Sequence, residues 1–191
     1  MAGANIRTVS TTLYQKHGAT ALLQMLSDEL AASGSKPYVV PMGGSNRVGS
    51  LGYVAAYAEM LEQCKLSGGS KQADHVESIP PHFDIVAVAA GSGGTAAGLA
   101  AGKMLNESSS GAKAASRSPQ QELVAYAVCD DEAYFAEIIT DLLSEMVGAS
   151  RFDGTSYQLG KAIRICDDYV GRGYSLSTDA ELSVLVEVAQ A

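Results

Sequence analysis

Apolar positions fall into two rhythms along this chain. Residues 85–90 and 123–128 are unbroken apolar runs of strand length. Leu22, Leu23, Met25, Leu26 and Leu30 recur at helical spacing within residues 19–32, and Gly34 is a suitable stop. Helices are also predicted over residues 49–65, 95–106, 131–147 and 156–169, the third opened by Asp130 or Asp131 near its N-cap. Thr178 and Glu181 have capping-box spacing and open a last helix over 179–189. Residues 6–10 and 38–41 read as short strands, Gly43-Gly44-Ser45-Asn46 and residues 171–174 as turns, and residues 68–81 as a polar loop. Residues 106–120, NESSSGAKAASRSPQ, are low in complexity and read as an exposed, mobile insertion. Strands alternating with helices predict an α/β fold, a mostly parallel sheet in a three-layer αβα arrangement. Ligands of such sheets sit beyond the carboxyl ends of the strands.

One such end carries a distinctive signal. Residues 83–104 read FDIVAVAAGSGGTAAGLAAGKM: a buried strand, a glycine turn, then a helix of small residues. Glycines let backbone N–H groups approach a ligand closely, and first-turn donors with the helix dipole favour an anion. Gly91, Ser92, Gly93, Gly94 and Thr95 are therefore candidate phosphate ligands. A Walker-type loop requires a Gly-Lys-Ser/Thr ending, which Gly93-Gly94-Thr95 lacks. Gly91 to Ala96 satisfies G-x-G-x-x-A, and Asp130 follows the next strand, but farther on than the ~20 residues of a dinucleotide site. An NAD-type oxidoreductase stays open as an alternative.

Composition limits the partners. The chain has 191 residues, 47% of them hydrophobic, and a formal net charge of −8. The acidic balance argues against nucleic acid and against anionic membrane surfaces. No apolar run is long enough to span a bilayer and residues 1–7 lack a signal-peptide core, so a cytoplasmic location is expected. Cys64, Cys129 and Cys166 are widely separated, form no CxxC pair and do not cluster with His17, His75 or His82, so free thiols and no metal site are expected.

Gly-Ser-Gly-Gly-Thr followed by a small-residue helix resembles the phosphate cup of fold-type II pyridoxal-phosphate enzymes, the tryptophan synthase β-like group. Lys36-Pro37-Tyr38-Val39-Val40-Pro41-Met42-Gly43-Gly44-Ser45-Asn46, followed by Gly49 and Leu51-Gly52-Tyr53-Val54, resembles one branch, the ACC deaminase/D-cysteine desulfhydrase family. So does Asp167-Asp168-Tyr169-Val170-Gly171-Arg172-Gly173-Tyr174 with Thr178 and Glu181. The GGSN turn is closer to the desulfhydrase pattern than to the GCSD-like residues of deaminases.

The resemblance implies pyridoxal 5′-phosphate as cofactor, a small amino acid as substrate and a homodimer. It implies a lyase converting D-cysteine to pyruvate, hydrogen sulfide and ammonia. 1-Aminocyclopropane-1-carboxylate deamination and a non-catalytic phosphate-binding relative are the alternatives. It makes Gly91 to Thr95 the cofactor loop, Gly44, Ser45 and Asn46 a substrate loop, and Tyr174 a catalytic tyrosine. Residues 1–42 would end the smaller domain, and 43–191 would form part of the larger, phosphate-binding one. None of Lys16, Lys36, Lys65, Lys71, Lys103, Lys113 or Lys161 sits in the family's SGNK-type motif, so the Schiff-base lysine is expected to be missing and the chain truncated at both ends.

Overall fold

The computed structural model describes residues 3–67, 83–109, 121–148, 150–173 and 176–190. The predicted loop at 68–81, and all of the insertion beyond Ser109, lie outside the described residues. The chain divides into two compact units, Met1–Gly44 and Ser45–Ala191.

The first unit is built on α1 (Thr11–Ala32), which starts well before the predicted residue 19. Ser10 caps it, its hydroxyl accepting the Leu13 N–H at 3.2 Å. Gly18, at φ 72° and ψ 166°, breaks it into two helical pieces. Residues 6–10 and 38–41 form no strand: neither has a ladder partner among the described residues, and Tyr38 is 76% exposed. An apolar run makes a strand only where another strand accepts its hydrogen bonds. Met42–Gly44 is a single 3₁₀ turn.

The second unit runs α2 (Arg47–Ser67), β1 (Ile85–Ala90), α3 (Gly94–Ser109), β2 (Glu122–Ala127), α4 (Glu132–Val147), α5 (Ser156–Ala162), β3 (Arg164–Cys166) and α6 (Asp179–Gln190). The three strands are parallel in the order β1-β2-β3, with Val88 beside Ala125 and Tyr126 beside Cys166. The helix predicted over 156–169 stops at Ala162, and the short strand β3 takes its place. Residues 106–109, predicted as loop, continue α3. The capping box at α6 forms, Thr178 and Glu181 each accepting the other's backbone N–H.

Side-chain alternation along the strands decides where the core lies. Leu123, Ala125 and Ala127 of β2 join Ala96, Ala97, Ala100 and Ala101 of α3 and Phe135, Ile139 and Leu143 of α4 in one buried cluster. On the opposite face of β1, Ile85, Ala87 and Ala89 are exposed.

The close approach of α2 to α3 depends on glycines four residues apart. A Cβ on Gly98 would meet Tyr53 Cβ at 2.6 Å, and one on Gly102 would meet Tyr57 Cβ at 2.7 Å. Tyr57 donates its hydroxyl to Gln121 Oε1 at 2.8 Å, and burial, with Glu107 adding, pushes its pKa up to about 12. Ser50 lies in the same seam, 1% exposed, and its hydroxyl has no partner among the described residues. Ser50→Ala is therefore expected to raise unfolding free energy by about 1 kcal/mol, because it removes an uncompensated desolvation cost. A higher urea midpoint at unchanged slope would show it.

Candidate functional site

β1 delivers the chain at Ala90 into Gly91, Ser92 and Gly93, and α3 starts at Gly94. Gly93 has φ 80°, and a Cβ there would stand 2.7 Å from Ile138 Cγ2 of α4. At Gly93 the loop thus lies against α4 with no room for a side chain. The Gly94 N–H donates to Ser45 Oγ at 3.1 Å, and the Ser45 hydroxyl donates to Ser92 Oγ at 2.7 Å. The Ala97 N–H is taken by the Gly93 carbonyl at 2.9 Å. The Thr95 and Ala96 N–H groups have no partner among the described residues. Two first-turn donors are thus left open at the positive end of a helix.

The neighbouring helix end differs. At the start of α4, Asp131 Oδ1 accepts the Tyr134 N–H at 2.9 Å and Asp167 Oδ2 accepts the Glu132 N–H at 2.9 Å. Two carboxylates occupy the place where an anion would go. Asp131 therefore acts as the cap that sequence allowed for, while Asp130, the acid a dinucleotide site would use, is hydrogen-bonded to the Cys129 thiol instead. Asp131→Ala is expected to cost about 1 kcal/mol of stability. It should leave pyridoxal phosphate affinity unchanged, which thermal melts and equilibrium dialysis would check. Cys129 stands beside the loop, its thiol 3.8 Å from the Gly91 carbonyl. Burial pushes the Cys129 pKa up, and the hydrogen bond to Asp130 and that residue's charge add to it. The group beside the loop is a neutral thiol, not a second anion.

The predicted site residues are only partly brought together. Gly91 to Thr95 form one continuous cup, and Ser45 reaches it. Asn46 instead caps α2, its Oδ1 accepting the Gly49 N–H at 2.8 Å. Gly44, at φ 64°, ends the 3₁₀ turn of the first unit. Tyr174 lies outside the described residues. Within that same stretch, the Tyr169 ring packs on Tyr126 at 5.9 Å between centroids.

Among the described residues, the lysines of the second unit, Lys65, Lys103 and Lys161, stand away from the cup. Lys103 is nine residues past Gly94 on α3, about 13 Å along the axis. Its buried amine donates to the Lys161 carbonyl at 3.0 Å. The Lys161 amine sits 4.3 Å over the Tyr157 ring. Lys65 lies in the last turn of α2, at the far end of that helix from Ser45. Among the described residues, no group of three or more His, Cys, Asp or Glu could hold a metal ion. No helix among them is long and apolar enough to cross a membrane.

Two features escaped sequence reasoning: the tie from Ser45 to the cup, and the packing role of Gly94, Gly98 and Gly102. The second had a readable signal, since these glycines recur every four residues on one helix face.

A family model described as pyridoxal-phosphate dependent enzyme matches residues 1–191. The mitochondrial bifunctional D-cysteine desulfhydrase/1-aminocyclopropane-1-carboxylate deaminase of Arabidopsis thaliana is 33% identical over 190 residues, 99% of this chain and 40% of that protein. The D-cysteine desulfhydrase of Klebsiella pneumoniae (strain 342) is 32% identical over 170 residues, 88% of this chain and 42% of its own. A putative 1-aminocyclopropane-1-carboxylate deaminase of Pyrococcus horikoshii is 37% identical over 106 residues, 53% of this chain and 28% of its own. The chain spans about two-fifths of the length of the first two relatives.

Proposed function

The chain belongs to the family of pyridoxal-phosphate dependent enzymes, and from that premise we propose that Gly91, Ser92, Gly93, Gly94 and Thr95 hold the phosphate of pyridoxal 5′-phosphate. The observation that carries this reading is the pair of amides at Thr95 and Ala96, left open among the described residues, on a helix end where none of those residues supplies the carboxylates that fill its neighbour. The residues fit the group: the loop is glycine where a Cβ would press on α4 or on Ser45, and the thiol alongside is neutral. A phosphate dianion here would receive backbone donors and the helix dipole together.

We further propose that the complete protein is a D-cysteine desulfhydrase, converting D-cysteine and water to pyruvate, hydrogen sulfide and ammonia. The names of the Arabidopsis and Klebsiella relatives support this substrate, and the GGSN turn agrees with it. 1-Aminocyclopropane-1-carboxylate is the second substrate to test, because the Arabidopsis and Pyrococcus relatives are named for it. When bound, pyridoxal phosphate supplies an electron sink for negative charge developing at the substrate carbon. The chain's own residues anchor the phosphate through the cup and so fix the orientation of what is bound. Tyr174 is assigned to proton transfer at the substrate, and Gly44, Ser45 and Asn46 to the substrate loop. With its Oδ1 committed to Gly49, Asn46 has its amide NH₂ left to offer. On this reading the Schiff-base lysine is not among these residues. A homodimer in the cytoplasm, and a larger phosphate-binding domain starting near residue 43, belong to the same proposal; sedimentation velocity and cell fractionation test the first two.

The deciding experiment is an absorbance titration of the chain with pyridoxal phosphate, followed by borohydride reduction and peptide mapping. Saturable binding with no lysine trapped supports the reading. A single trapped lysine would keep the cup and overturn the lysine assignment. Absence of binding would overturn the cup. In the complete protein, sulfide released from D-cysteine supports the named reaction, and 2-oxobutanoate formed from 1-aminocyclopropane-1-carboxylate alone overturns it.

A further inference from the structure

The farthest-reaching contact of the glycine loop is with Ser45, 47 positions upstream of Ser92. A hydroxyl has one hydrogen to give and two lone pairs to receive with. Ser45 receives the Gly94 N–H at 3.1 Å and gives its hydrogen to Ser92 Oγ at 2.7 Å. With Ser45 as the donor across that contact, the Ser92 hydrogen is left without an acceptor among the described residues. We propose that Ser45 is a positioning residue for the phosphate cup: anchored by the Gly94 amide, its hydroxyl fixes Ser92 so that the Ser92 hydrogen points to the bound phosphate. This rests on the cup reading above.

The order of the relay is the one an anion selects. Were Ser92 to donate to Ser45 instead, its lone pairs would face the phosphate oxygens and repel them. With Ser45 donating, each link runs the same way, from the Gly94 amide through both hydroxyls, and each polarises the next. Ser45 also takes the Gly94 donor out of competition, which leaves the anion to Thr95 and Ala96. The close fit agrees with this use: a Cβ on Gly94 would stand 2.5 Å from Ser45 Oγ, so glycine is what lets the hydroxyl in.

Equilibrium dialysis of the 191-residue chain against pyridoxal phosphate and against pyridoxal, which lacks the phosphate, tests the relay. Ser45→Ala is expected to weaken pyridoxal phosphate by about tenfold, the loss of one charge-assisted hydrogen bond, with pyridoxal unchanged. The double variant Ser45→Ala/Ser92→Ala should bind no more weakly than Ser92→Ala alone, because both act through one hydrogen. If Ser45→Ala does not fold, Ser92→Ala carries the test, since it keeps the Ser45–Gly94 bond: a phosphate-specific loss supports the relay and no loss overturns it. Unchanged pyridoxal phosphate affinity in folded Ser45→Ala overturns the proposal while the cup stands. Equal losses for both ligands make Ser45 a scaffold residue only, and overturn it too. A parent chain that binds no pyridoxal phosphate removes the cup reading and the relay with it.

Discussion

Gly93→Asp is expected to weaken pyridoxal phosphate binding by at least about 100-fold, or ~2.7 kcal/mol. Three effects act in one direction. Gly93 sits at φ 80°, where an L-residue pays about 1–2 kcal/mol. Its new Cβ would meet Ile138 Cγ2 at 2.7 Å, so the loop or α4 has to move. The carboxylate would then place a negative charge in a cup shaped for a phosphate. Gly93→Ala keeps the first two effects and drops the third, so the difference between the variants in a dialysis titration isolates the charge. Equal binding by Gly93→Asp and the parent would mean that the phosphate lies elsewhere.

The second large effect concerns stability. Gly98→Ala is expected to lower the unfolding free energy by about 2–3 kcal/mol, the cost of overpacking a close helix crossing. The added methyl would press on the Ser50 carbonyl and on Tyr53 Cβ, and the backbone of α2 cannot rotate away as a long side chain could. Gly52→Ala, on α2 with nothing within 4 Å of its Cβ position, is the matched control. It should raise stability by about 0.5–1 kcal/mol through reduced freedom of the unfolded chain. Urea unfolding of both variants would show opposite shifts in midpoint. Matching shifts would deny that the α2–α3 approach requires glycine at 98.

The part of the fold legible in the sequence is the part whose information is local. The run at Ile85–Ala90 and its glycine exit are read directly, because continuous apolarity and a positive-φ residue leave their mark on the residues themselves. The same holds for α4, where the Asp131 cap and the apolar spacing agree. β3 is not legible: three residues beginning with Arg164 carry no period, and only pairing with β2 makes them a strand. The converse failure is Tyr38–Val39–Val40, strand-like in composition and without a ladder partner among the described residues. In the site, the cup residues are contiguous and so are visible. Ser45 is named through the family resemblance, but its tie to the cup is not visible, since its partners lie 47 and 49 positions away and any small polar residue in a turn looks the same. The amines of Lys103 and Lys161 are likewise committed by contacts that no motif announces, to the Lys161 carbonyl and to the Tyr157 ring.

The glycine seam between α2 and α3 has a consequence for how the protein breathes. Ser45 meets Gly94, Ser50 and Tyr53 meet Gly98, and Tyr57 meets Gly102, so one helix is fastened to the other along three successive turns. Helices in such intimate contact do not open separately, and their amide hydrogens should exchange with solvent deuterium as one cooperative block. Because the first turn of α3 carries the open donors, an anion bound there would slow exchange along α2 as well, by the factor 1 + [L]/Kd. A helix that contributes no residue beyond its N-terminal flank to the cup would thus report, turn by turn, on whether the cup is filled.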